Sequence, residues 1–341
     1  MRIYHFGLCA VSLCIGAITF SACGSSATSV VAGRSSAILT RALAHSARGS
    51  WMLPEAKHED LLYVAASPDE QHGIVCVYSY PQGRLVGTLT GFAVPRGECA
   101  DSAGNVFIVT YANESMSSST IYQYAHGGTN TIATLSDPNT ALGCAVDPTT
   151  GNLAVSGDGV AIFKNASGSP TMYYSSEYRF AYCSYADRGN LYLTAANGQY
   201  ADQLVLVRLA SGGSDFEQIT LNAKLYSSSD IWPTVQWDGK QMAVTSDPYR
   251  KPITLYRLRI TGSSGVVRQS AALSSRTNNY SGELWIQEKS VVGVGFARHH
   301  YQAAFVWPYP KGGVPGRTIE RLGKTRFLAV SGVAVSVGQV R

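Results

Sequence analysis

Five times along this chain of 341 residues, a hydrophobic segment stops at a short run rich in Asp, Gly and Asn and then resumes. The clearest copy is GCAVDPTTGNLAVS, residues 143–156. Asp147 opens a turn, because its carboxylate can accept hydrogen bonds from the backbone N–H groups just ahead. Gly151 supplies the positive φ that closes the turn, and Asn152 tolerates such corners too. Leu153 to Ser156 is the returning strand, so the motif reads as a β-hairpin. It recurs as GECADSAGNVFIVT (97–110), YCSYADRGNLYLT (182–194), TVQWDGKQMAVT (234–245) and, degraded, GELWIQEKSVVGVG (282–295).

The turns end at residues 105, 152, 190, 240 and 290, spaced 38 to 50 apart. Self-similarity at about 40–50 residues, with several strands in each copy, points to the blades of a propeller. A third strand follows each hairpin, at 120–124, 160–163, 204–209, 253–258 and 303–307, and a fourth is visible at 131–135 and 216–221. The ends complete the pattern. GVAVS (332–336) looks like a first strand without its partner, and LLYVAAS (61–67) like a second strand without its first. IVCVYSY (74–80) and RLVGTLT (84–90) would supply the third and fourth. The expectation is an all-β, six-bladed β-propeller with four-stranded antiparallel blades. One blade is shared between the termini, which removes exposed edges.

These hairpins resemble those of NHL-type and SMP-30-like six-bladed propellers. SWMLPEAK, IYQYAHGG, GCAVDPTTGNLAV and VQWDGKQMAV look closer still to a group of uncharacterised bacterial propeller lipoproteins. The resemblance covers residues 50–341 and speaks to fold more than to activity, because propellers host many functions.

The N-terminus carries an address. Arg2 precedes an apolar run from Phe6 to Phe20 that is short for a membrane span of about 20 residues, which is secretory signal architecture. Phe20-Ser21-Ala22-Cys23 resembles the bacterial lipobox, which implies cleavage before Cys23 and lipidation of its thiol. Gly24 follows, and a residue other than Asp there implies the outer membrane in diderm bacteria. A multiply acylated Cys anchors a chain stably. The expected organisation is a signal peptide over 1–22, a lipidated Cys and Ser/Ala/Gly-rich tether over 23–58, and the propeller over 59–341. The expected location is the cell envelope, at the outer membrane or facing the periplasm.

Charged residues make up 14% of the chain, with 34 Gly and 20 Tyr, which suits an extracytoplasmic all-β protein. The formal charge of +5 is spread along the chain with no basic stripe, so a nucleic-acid surface is not expected. Export permits disulfides. Cys76, Cys99, Cys144 and Cys183 remain in the domain, and four cysteines allow three pairings or none. None sits in CxxC, so a structural zinc site or a redox motif lacks support.

No motif for catalysis survives inspection. HExxH and GxSxG are absent. Gly323-Lys324-Thr325 lacks the upstream Gly of a P-loop, where Thr318 stands. The first strand of each blade lines a propeller's axis, and at matching positions these strands offer Glu98, Cys144, Tyr182, Gln236 and Glu283. Glu98 and Glu283 would sit on blades separated by one blade, where two carboxylates can hold Ca²⁺ or another divalent cation. The SMP-30-like resemblance implies a metal-dependent lactonase or hydrolase of that kind, but a full set of Glu, Asn, Asn and Asp ligands is missing. Tyr182 and Gln236 are the candidate binding residues of the same wall. Tyr173, Tyr174, Tyr178, Tyr182 and Tyr185 form a tyrosine-rich stretch that can stack on sugar rings or contact a protein. His299 and His300 are adjacent and would face opposite ways in an extended segment, a poor metal chelate. The expected function is a monomeric envelope lipoprotein whose propeller binds a protein or glycan, with no cofactor required. Metal-dependent hydrolysis is the alternative.

Overall fold

The computed structural model describes residues 49–67, 72–112, 116–198, 204–227, 232–248, 251–274, 279–296, 302–320 and 329–338. The signal segment, Cys23 and the His299-His300 pair lie outside them. No helix among the described residues is long and apolar enough to cross a membrane.

Strands predominate among the described residues, with helix confined to short 3-10 turns. The first group is β1 (Trp51–Met52), β2 (Leu61–Ser67), β3 (Gly73–Ser79) and β4 (Leu85–Phe92). The second is β5 (Val94–Ala100), β6 (Val106–Tyr111), β7 (Ser119–Tyr124) and β8 (Thr131–Asp137). The third is β9 (Ala141–Val146), β10 (Leu153–Gly157), β11 (Val160–Phe163) and β12 (Thr171–Tyr173). Then come β13 (Tyr178–Tyr185), β14 (Leu191–Asn197), β15 (Leu204–Leu209) and β16 (Phe216–Leu221). They are followed by β17 (Val235–Trp237), β18 (Met242–Ser246), β19 (Ile253–Thr261) and β20 (Ser264–Leu273). The last group is β21 (Asn279–Gln287), β22 (Ser290–Phe296), β23 (Gln302–Pro308) and β24 (Arg317–Glu320), and β25 (Ala329–Ser336) ends the chain.

The sheets have a propeller-like arrangement. Within each group the strands pair antiparallel with their sequence neighbours, except that β1 pairs with β4 and not with β2. β25 pairs with β2, in the register Leu61↔Ser336 to Ser67↔Ala329, so the C-terminus completes the N-terminal sheet. Two features depart from separate four-stranded units. The N-terminal sheet has five strands, because β1 adds to β4 through Trp51↔Thr88 and Met52↔Gly87. Part of the stretch expected to be tether therefore belongs to the sheet, and Ala56 in the 3-10 turn Pro54–Lys57 is fully buried. In addition, β16 and β20 pair in parallel at Thr220↔Ser264 and Leu221↔Gly265, which fuses β13–β20 into one eight-stranded sheet.

The apolar clusters lie between consecutive sheets. Leu62 and Val64 of β2 pack with Val292 of β22 and Val306 of β23. On the opposite face of β2, Tyr63 and Ala65 pack with Val106 and Ile108 of β6. All seven residues of β2 are buried. A strand buried on both faces is apolar throughout, which is why LLYVAAS does not alternate. Each fully buried Val or Leu contributes about 1.5–3 kcal/mol. At the seam, His126 Nδ1 lies 2.6 Å from Ser336 Oγ and its Nε2 lies 3.0 Å from the Glu59 carbonyl. Ser336 Oγ donates in turn to the Gly104 carbonyl at 2.5 Å.

Candidate functional site

The first strands β5, β9, β13, β17, β21 and β25 pack against one another in that cyclic order, β25 returning to β5, and form the inner wall. Their glycines explain how they come so close. A Cβ on Gly97 would lie 2.4 Å from the Leu142 carbonyl oxygen, and one on Gly332 would lie 2.7 Å from the Arg96 carbonyl oxygen. One on Gly143 would lie 2.8 Å from Tyr182 Cδ1. Gly97 and Gly332 are therefore places where neighbouring backbones touch, and Gly143 makes room for the Tyr182 ring.

The hairpin turns have the expected construction. Asp101 Oδ1 accepts from the backbone N–H of Ala103 (2.9 Å) and of Asn105 (2.8 Å). Asp147 accepts from Thr149 N and the Thr150 hydroxyl. Asp238 accepts from Lys240 N and Gln241 N, from the Arg257 guanidinium, and from the Tyr309 hydroxyl. These carboxylates are spent on structure.

Register separates the wall residues that the sequence aligns. Glu98 faces Ile108, Cys144 faces Val155 and Cys183 faces Leu193, each two residues past the start of its partner strand. In β21 that level falls at Trp285, opposite Val292, and Leu284 lies one residue earlier, opposite Gly293. Tyr182 sits one residue earlier than this level, Glu283 two earlier inside a bulge, and Gln236 one later. A one-residue offset turns a side chain to the other face. The register also shifts at Pro95/Glu98, Phe180/Cys183 and Tyr280/Leu284, so bulges recur at the same depth of the wall.

The two glutamates are not a solvated pair at a channel mouth. Glu98 is 0% exposed and Glu283 7%. Glu283 Oε2 accepts from Glu98 N at 2.8 Å, and the Val333 N–H also donates to this carboxylate. It thereby ties β21 to β5 across the closing strand β25. Neither Glu98 oxygen has a hydrogen-bond partner. Burial alone raises its carboxyl to about 8, so it is held mainly neutral at pH 7. Burial pushes Glu283 well above the usual carboxylate range, with the Glu98 charge adding to the rise and the two backbone donors opposing it. No group of three or more His, Cys, Asp or Glu side chains suited to a metal occurs among the described residues. Calcium needs about six to eight oxygens, and this pair offers two carboxylates with one oxygen already engaged. The donor set does not fit a resident divalent metal.

Gln236 faces the neighbouring strand instead of a ligand: its Oε1 accepts from Ile286 N and its Nε2 reaches the Ile286 carbonyl. Tyr182 is half-buried on the wall. Burial raises its phenol, the Glu283 charge adds to this, and the Arg96 charge opposes it. Arg96 was not singled out from the sequence. Its guanidinium lies over the Tyr111 ring at 5.4 Å, and its buried Nε has no hydrogen-bond partner. A lone Arg one residue before the repeat glycine carries no motif, so only the bulge and its neighbours reveal it.

Cys99 and Cys144 form a disulfide between the adjacent first strands β5 and β9, with Cα atoms 5.7 Å apart. Cys76 and Cys183 are free and buried. Burial raises both thiols to about 12, which makes them inert packing groups. The tyrosine stretch disperses. Tyr178 and Tyr185 are buried, Tyr174 is 60% exposed, and Tyr173 and Tyr185 line a cavity of about 300 Å³ between β9–β12 and β13–β16.

No protein-family model matches the chain, and no curated protein matches it in sequence. Among solved structures, a protein of unknown function from Bacteroides caccae is similar at 13% identity and a TM-score of 0.56, over 82% of this chain and 99% of that one. A "putative 6-phosphogluconolactonase" from Bacteroides uniformis is similar at 11% identity and a TM-score of 0.49, over 75% of this chain and 81% of that one. Likeness at such identities speaks to the fold alone.

Proposed function

We propose that this protein is a cell-envelope lipoprotein, anchored through Cys23, whose propeller is a non-catalytic binding module for a glycan or an envelope protein. The observation that supports this most is the sealed inner wall. The two carboxylates best placed for hydrolytic or metal chemistry are buried, one engaged with backbone N–H groups and the other mainly neutral at pH 7. A general acid or base must reach the proton it moves, and Glu98 is closed off from substrate.

The ring is read as six blades of the NHL or SMP-30 type. The eight-stranded sheet counts as two blades whose outermost strands touch over two residue pairs, and the six first strands follow one another around the axis. Lipidation of Cys23 is tested by acyl labelling, which Cys23→Ala should abolish while releasing the protein from the membrane fraction.

The binding reading is tested by a thermal melt of the mature protein with EDTA, then with Ca²⁺ or Zn²⁺. A metal that binds only the folded state adds about 2.7 kcal/mol at a hundredfold excess over Kd. The expected melting temperature is unmoved throughout. A chelator-sensitive melt restored by one metal would overturn the reading in favour of metal-dependent hydrolysis.

A further inference from the structure

Two cavities open side by side at one end of the sheets. The first, about 300 Å³, lies between β9–β12 and β13–β16. The second, about 290 Å³, lies between the two halves of the eight-stranded sheet. Both border the same hairpin turn: Gly189 lines the first, while Ala186 and Asp187 line the second. They are neighbouring compartments on either side of the β13–β16 sheet, which carries that turn. Each is at the lower end of the size range of small-molecule sites, about 300–1,000 Å³.

Each compartment has an aromatic residue at an equivalent position. Tyr185 faces Leu191, the first residue of β14, and Trp237 faces Met242, the first residue of β18. The corresponding residues of the other hairpins are Ala100, Val146 and Gln287. Rings therefore stand at this level in the two hairpins that wall the cavities. A second ring completes each compartment, Tyr173 in the first and Tyr192 in the second. Tyr173 and Trp237 are half-buried, packed at the edges of apolar clusters and partly open to the cavities they line, whereas Tyr185 and Tyr192 are buried as floor.

The rims are polar and mixed in sign. Asp147, Asn152, Lys164 and Ser211 edge the first cavity, and Asp187, Lys240 and Arg259 edge the second. Each lining holds both signs, Asp147 with Lys164 in the first and Asp187 with Lys240 and Arg259 in the second, so neither compartment carries charge of one sign alone. An apolar ring face bordered by hydroxyl, amide and charged hydrogen-bonding groups matches a pyranose, which has a C–H face and a hydroxyl edge. Two such neighbouring compartments match a chain of sugars.

We infer that these twin clefts are the binding site for a neutral oligosaccharide, with Tyr173 and Trp237 as the stacking platforms of two subsites. The inference rests on the binding-module reading and adds the ligand class and the place. It is independent of the inner wall, because the lining of neither cavity includes Arg96, Tyr182, Glu98 or Glu283.

The test uses the mature full chain with three probes: cellohexaose, chitohexaose and maltohexaose. Calorimetry and tryptophan fluorescence are the readouts. At least one probe is expected to saturate with Kd near or below about 1 mM. Trp237→Ala and Tyr173→Ala should each weaken that binding by about tenfold or more, a loss of about 1.4 kcal/mol. Trp237→Phe and Tyr173→Phe, which keep a ring, should retain most of it, and Tyr226→Phe, at an exposed residue that lines neither cavity, should leave it unchanged. Equal melting temperatures among the variants exclude misfolding as the cause. Saccharide binding that survives both Ala changes would overturn the site and leave the glycan-binding module standing. Failure of all three probes to bind would overturn the saccharide class. An envelope protein captured equally well by wild type and Trp237→Ala would then keep the module reading without these clefts.

Discussion

Glu98→Gln isolates the cost of a buried carboxyl at the closing seam. Glu98 is 0% exposed, and neither of its oxygens has a partner. Tyr63 of β2 and Cys76 of β3 both sense its charge, and its Cγ would lie 3.1 Å from a Cβ built on Gly332 of β25. Burial raises the carboxyl from 4.5 to about 8. A tenfold change in an ionisation constant is about 1.4 kcal/mol, so ionising Glu98 within the fold costs about 5 kcal/mol more than ionising it in the unfolded chain. The folded state holds the proton more tightly, so the sign is set. Stability is greatest below about pH 4.5, falls as pH rises toward 8, and levels off above it. At pH 7 about 3 kcal/mol of that loss is already present.

Gln cannot ionise, so the variant should lose this part of the slope, up to about 1.4 kcal/mol per pH unit between pH 5 and 8. Glu283 shifts in the same direction and leaves a residual slope in the variant. The assay is urea denaturation of both proteins from pH 5 to 9. Slope is the measure, because any penalty from the new amide is the same at every pH. Parallel curves, with the variant offset by a constant amount, would refute the claim that Glu98 is held protonated by burial.

The glycine contacts predict strong position dependence. Gly97→Ala should destabilise by about 1–3 kcal/mol in a thermal melt, because the methyl meets the Leu142 carbonyl at 2.4 Å, whereas Gly91→Ala meets no atom within 4 Å and is strained only by its φ of +94°. The Cys99–Cys144 disulfide spans 45 residues of sequence. Replacing both cysteines with Ser should cost about 2–4 kcal/mol, and reductant should lower the melting temperature of the wild type but not of the variant.

The hairpin repeat was legible residue by residue. Val160–Phe163, Leu204–Leu209 and Phe216–Leu221 are strands with the bounds that the sequence suggests. Asp101, Asp147 and Gly151 hold their turns for the local reasons that a dipeptide or tetrapeptide displays. The closing strand was legible too, because GVAVS lacks a hairpin partner and LLYVAAS lacks a first strand, and each supplies what the other needs. The wall was not legible in the same way. Matching the repeats aligns Glu98 with Glu283 and Tyr182, but bulges at 95–98 and 180–183 shift the register by one residue and the bulge at 280–284 shifts it by two. A bulge depends on how a neighbouring sheet crowds the strand, and no local pattern encodes it.

Local chemistry is written in adjacent residues, so the sequence alone determined the all-β class, the repeat, the turns and the pairing of the two ends. Which side chains share a space depends on separations of tens to hundreds of residues and on shifts of one. The tertiary structure therefore decided that Cys99 joins Cys144, that Glu283 caps the backbone of Glu98, and that Gln236 clamps Ile286. It also decided that Tyr173 and Trp237 open onto neighbouring clefts flanking the Asp187 turn.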